Sequence, residues 1–134
     1  LSLLTLYEED SRFYADSIIT KMDHYFKQMK DITQQGNCEL LVMYVPGAIE
    51  VSEPEHLDYY PQNFEISDTN EYDLNRPNKI IAELCQKHNI DLFDSEQVLK
   101  GHPDKPVYYR ESLHWNPTGH QLIANELTQR INPD

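Results

Sequence analysis

The stretch Tyr109-Arg110-Glu111-Ser112-Leu113-His114-Trp115-Asn116-Pro117-Thr118-Gly119-His120 decides how the rest of the chain is read. A helix begins inside it. Asn116 is a good N-cap, because its side-chain oxygen can accept from an unpaired first-turn N–H. Pro117 suits the first helical position, where its missing donor costs nothing. Leu122, Ile123, Leu127 and Ile131 then supply an apolar face at helical spacing. His114 therefore stands on a loop end just before a helix N-terminus, held by the rigid element behind it. Such a place suits a catalytic base.

Working back from that helix, elements alternate. Val107–Tyr109 leads into the stretch from a turn-rich loop, Gly101–Pro106. Ser95–Lys100 reads as a short helix, and Ile90–Asp94 as a short strand. Before the strand a helix runs from a cap at Asp73 or Asn75, with Pro77 in its first turn. Ile80, Ile81, Leu84 and Cys85 form its buried side, and His88-Asn89 ends it. Cys38–Pro46 is almost continuously apolar and predicts a strand buried on both faces. A long helix precedes that strand, capped by Asp10 and closed by Gly36 or Asn37. Its stripe of Tyr14, Ile18, Met22, Tyr25, Met29 and Ile32 predicts packing against a sheet. Gly47–Asn70 is an irregular excursion of the length that is often functional, and its His56 reads as solvated. Alternation of this kind predicts an α/β fold with parallel strands, and ligand sites beyond the carboxyl ends of those strands.

Composition narrows the function classes. The 134 residues suffice for a single domain spanning 1–134. Hydrophobic residues make up 39%, and no apolar run approaches the length of a membrane span. A net charge of −12 argues against nucleic acid or an anionic membrane surface as partner. Cys38 and Cys85 lack metal-type spacing and read as free thiols, with a disulfide as the alternative. His102, His114 and His120 fit no strong zinc pattern, so neither metal nor cofactor is expected. The chain opens on Leu1 rather than Met, from which segments upstream of it are expected.

Nucleophilic acyl chemistry needs a serine, a base to take its proton, a carboxylate to orient the base, and oxyanion donors. His114 is a fair base, and Glu111, three residues earlier, is chemically able to orient it. Ser11, Ser17 and Ser95 read as helix cap, helix face and helix cap rather than as nucleophiles.

The run ESLHWNPTGHQLIANEL (Glu111–Leu127) resembles the last sequence block of the SGNH/GDSL hydrolase superfamily, in particular its membrane-anchored or exported bacterial hydrolases and acetyltransferase-like proteins. The LLVMYVP strand, the YDLNRP helix opening and the HNIDLFD strand fall in the order of that branch. The resemblance implies a flavodoxin-like αβα sandwich with its N-terminal part missing, and His114 as catalytic histidine. It implies O-acyl ester chemistry on a small molecule, glycan or lipid, and a place in the bacterial envelope or outside the cell. In the family's three-before pattern the acid falls on Glu111; in its two-before pattern it falls on Ser112, and the acid is lost. No block carrying the family's serine or its oxyanion glycine and asparagine precedes Leu40. Two functions follow: the C-terminal portion of a serine esterase, inactive alone, or a non-catalytic binding or scaffold domain that kept the fold. Two strands make a poor sheet, so we expect a homodimer through the exposed sheet edge, or coverage of that edge by Leu1–Leu6.

Overall fold

A computed structural model describes residues 5–8, 10–11, 14–60, 71–102 and 106–132. Its regular elements are α1 (Asp16–Gln35), β1 (Leu41–Tyr44), α2 (Ala48–Val51), a 3-10 turn (Pro54–His56), α3 (Arg76–Lys87), β2 (Asp91–Asp94), α4 (Ser95–Lys100) and α5 (Pro117–Ile131). The fold is α/β: β1 and β2 are hydrogen-bonded parallel neighbours in a two-stranded sheet, accompanied by helices. The chain forms two compact units. The first holds residues 1–42 and 65–92, the second 43–64 and 93–134.

In the first unit the same local device twice turns a helix into a strand. Asn37 and Asn89 adopt left-handed backbone conformations, with φ of 50° and 52°. Asparagine tolerates that region because its short polar side chain can bond locally. After α1, Asn37 N–H reaches Gln34 O at 3.1 Å and Cys38 N–H reaches Thr33 O at 2.8 Å. After α3, Asn89 N–H reaches Gln86 O at 3.2 Å and Ile90 N–H reaches Cys85 O at 2.8 Å. Each pair satisfies carbonyls that the helix end would otherwise leave open. The chain then reverses into a strand, and Ile90 folds back onto Cys85 in the core. That core is Phe26, Leu84, Cys85 and Ile90, with Met22, Ile80, Ile81, Val42 and Leu92 packed against it. Burial, reinforced by Asp91, pushes the Cys85 thiol up from its ordinary pKa; Cys38 is exposed, and both cysteines are free.

Several expectations need correction. The face of α1 turned inward carries Met22 and Phe26, whereas Tyr25 and Ile32 are 60% and 67% exposed. The apolar arc is wider than the surface available to it, so only its α3-facing side is covered. Asp10 does not cap α1: the helix starts after Ala15, with no side-chain cap. The strand in Cys38–Pro46 is shorter than its apolar run, and Met43 and Val45 are exposed, so it is not buried on both faces. In the 47–70 excursion, residues 48–51 and 54–56 are helical: Glu50 closes the first turn on Gly47, and His56 N–H closes the second on Glu53 O. Residues 61–70 and Leu1–Leu4 lie outside the described residues; Glu8 forms an isolated bridge with Tyr72, away from the named strands.

The first unit also contains a charged clasp. Asp23 on α1 accepts from Lys87 at 2.8 Å and pairs with His88 Nε2 at 2.7 Å, at the end of α3. The Lys87 bond, then the His88 bond, hold the Asp23 carboxyl below its ordinary 3.8. A carboxyl depressed in the folded state stabilises above its unfolded pKa, and that contribution is lost as pH falls through the folded value. Asp23→Asn is therefore expected to lower the denaturant midpoint at neutral pH. The gap to the unaltered chain should close as pH falls through the lowered pKa of the folded carboxyl. A pH-independent gap would show that Asp23 acts through packing instead.

Candidate functional site

The site is built in the second unit, from the ends of the strands outward. Beyond β1 the chain turns at Pro46-Gly47 into α2. Glu50 is buried there, with Oε1 accepting from Gly47 N–H and Oε2 from the Tyr44 hydroxyl, each at 2.6 Å. Both carboxylate oxygens are thus used, as a buried charge requires. Beyond β2, Asp94 caps α4 by accepting from Glu96 N–H at 3.0 Å. Ser95 is not the cap expected of it. It is the first residue of α4, with 0% exposure, and its hydroxyl donates to Tyr44 O at the end of β1. A hydroxyl so enclosed is structural.

The loop that carries His114 is pinned at its base from several sides. Tyr108 and Trp115 form an antiparallel bridge, Tyr109 N–H donates to His114 O at 3.1 Å, and Asn116 N–H donates to Val107 O at 3.0 Å. Trp115 Nε1–H donates to the Tyr108 hydroxyl at 2.8 Å, and that hydroxyl donates in turn to Pro46 O. Burial holds the Tyr108 phenol well above the ordinary tyrosine range, although the Trp115 bond works the other way. It therefore remains a neutral connector. Asn116 caps α5 as its sequence position predicts: Oδ1 accepts from Gly119 N–H at 3.0 Å. Its amide also donates to Pro106 O at 2.7 Å and Tyr108 O at 3.2 Å. Trp115 lies edge-on to His120, ring centroids 5.6 Å apart, which gives both residues a packing role at the helix start.

At the tip of this loop His114 is exposed. Its Nδ1 is 2.7 Å from Ser112 Oγ, and its own backbone N–H donates to the same oxygen at 3.2 Å. Glu111 is exposed, and no hydrogen bond or ion pair joins it to His114. The difference is chemical. A carboxylate at Nδ1 enforces the Nδ1–H tautomer and leaves Nε2 as a base. A hydroxyl can donate to Nδ1, which places the proton on Nε2 and makes that nitrogen a donor. A hydroxyl also brings no charge to stabilise an imidazolium.

Beside the loop lies a cleft of about 560 Å³. Leu57, Leu99, Val51 and Tyr108 give it apolar surface; Glu53, His56, His102, Arg110, Glu111 and Asn116 give it polar groups. Arg110 Nη2 donates to Asp58 Oδ1 at 2.7 Å and to Glu55 O at 3.2 Å, while Asp58 N–H donates to Arg110 O at 2.9 Å. The Arg110 bond holds the Asp58 carboxyl below its usual value. The participation of Arg110 and Asp58 has no sequence signal, since 52 residues separate them. His56 is exposed, as its sequence context suggests, yet it lines the cleft. Among the described residues no group of three or more His, Cys, Asp or Glu is placed to hold a metal ion. No helix among them is long and apolar enough to cross a membrane.

In a comparison with protein families, the family described as "SGNH hydrolase-like domain, acetyltransferase AlgX" matches residues 6–134. Neither the curated proteins nor the solved structures gave a match.

Proposed function

The chain belongs to this SGNH hydrolase-like family, and from that premise we propose that it is a ligand-binding domain which keeps the family's fold without its acyl-transfer chemistry. The observation that carries this is the Ser112 hydroxyl at 2.7 Å from His114 Nδ1, where a working base needs a carboxylate. With the Ser112 hydroxyl donating to Nδ1, the proton sits on Nε2, which is then a donor rather than a proton sink. The ligand is an O-acylated glycan, lipid or small molecule seated in the adjoining cleft, whose mixture of apolar floor and convergent polar groups suits an amphipathic molecule. The chain would supply the later half of a flavodoxin-like αβα sandwich, and family membership supports a place in the cell envelope.

A specific observation favours a second reading. The run His114–His120 is tied by the Asn116 cap to the start of α5, and it presents His114 at the surface with Glu111 three residues before it. In a hydrolytic or acyl-transfer site His114 would be the base and Glu111 its orienter, with serine and oxyanion donors supplied from outside this chain.

One experiment separates the two. The protein is titrated with an O-acetylated oligosaccharide while amide shifts and acetate release are followed, and a parallel sample is treated with a fluorophosphonate probe. Shifts around the cleft with no acetate release and no labelling are expected. Acetate release that His114→Ala abolishes would overturn the binding reading in favour of the hydrolytic one.

A further inference from the structure

Arg110 is only partly committed. Its Nε and Nη2 donors go to Asp58 and Glu55 O, with Nε to Asp58 Oδ2 at a long 3.5 Å. Its Nη1 edge has no hydrogen-bond partner among the described residues, and the side chain lines the cleft. The imidazoles of His56 and His102 line the same cleft, again without a hydrogen bond to a described residue. Asp58 itself does not line it. Both partners of the ion pair are about half exposed, and a pair so open to water is held weakly and exchanges readily. A guanidinium is the side chain best matched to a planar carboxylate, because its donors lie in a fork.

We propose that the cleft binds a small monocarboxylate with a short apolar body, anchored on Arg110, and that Asp58 is an internal carboxylate which the ligand's own carboxylate displaces. The apolar body lies on Leu57 and Leu99, which are almost fully buried beneath it. His56 and His102 supply further donors. The charge limit follows from the same residues. Glu53 and Glu111 stand in the cleft and the chain carries a net −12, so di- and trianions are repelled. The inference rests on the reading of the cleft as a ligand seat, but needs nothing from His114.

The test is an amide-shift titration with butyrate, butyramide and citrate on the unaltered chain, Asp58→Asn and Arg110→Gln. Butyrate should shift amides around the cleft, with butyramide and citrate binding far more weakly. Asp58→Asn should tighten butyrate about two- to fivefold, by removing a weak surface competitor, and Arg110→Gln should abolish binding. Both replaced side chains are half exposed, and unchanged amide spectra away from the cleft confirm the fold. No binding of butyrate, binding undiminished in Arg110→Gln, or no tightening in Asp58→Asn would each overturn the proposal. If the O-acetylated oligosaccharide binds and butyrate does not, this inference falls while the binding-domain reading stands. The reverse result removes the O-acylated ligand and leaves the carboxylate.

Discussion

Gly119→Ala is expected to destabilise the protein by about 1–3 kcal/mol, the usual range for overpacking a closed site. A Cβ at this position would stand 2.4 Å from Val107 O and 3.2 Å from Trp115 Cβ. The nearest atom is backbone oxygen, so no rotamer change can relieve the contact. That oxygen also accepts the Asn116 N–H at 3.0 Å, one of the bonds that place the start of α5. Relief therefore has to open the junction from which the His114 loop springs. Alanine's better helix propensity, worth about 1 kcal/mol over glycine, opposes the loss but is outweighed. Urea denaturation measures the sum, and the amide shifts of residues 107–116 report the displacement. An unchanged or raised midpoint would mean that Val107 yields freely and the junction is not tight.

Leu99→Ala carries a second large effect, an expected loss of about 2–4 kcal/mol. Leu99 lies in α4, is 1% exposed, and also lines the cleft. Its removal takes away apolar burial from a well-packed side chain. The space created opens onto the cleft, where water can enter, and this keeps the loss below the upper end of the Leu-to-Ala range. The functional counterpart is a deeper seat. Longer monocarboxylates should then gain affinity relative to butyrate, as read by the same titration. A stability loss with no change in chain-length preference would place Leu99 in the core alone. Preserved stability would contradict its burial.

The His114 loop was largely legible from local chemistry. Asn116 caps and Pro117 opens the helix because capping depends on residues within one turn of one another. The ends of α1 and α3 are equally local: a left-handed asparagine and two backbone bonds suffice. The exposure of Tyr25 and Ile32 was not legible, because periodicity records that a face is apolar and not whether anything lies against it. Ser95 shows the same limit in reverse. Its position before a helix suggested a cap, but the nearby Asp94 carboxylate takes that role and leaves Ser95 to bond across to β1.

The sequence by itself determined the α/β alternation, the helix start behind His114 and the family to which the chain belongs, because each rests on short-range spacing or on a contiguous motif. Only the tertiary structure decided which side chain meets His114 Nδ1. Glu111 and Ser112 are both close enough in sequence, and the course of a loop pinned by Tyr108, Trp115 and Asn116 brings the Ser112 hydroxyl to the ring. Only the tertiary structure, too, placed Arg110 against Asp58 and opened a cleft beside them. The reason is the same in both cases: a hydrogen bond requires a donor and an acceptor within about 3 Å. Between residues 52 positions apart, as between side chains on one turning loop, that distance is set by packing and not by spacing.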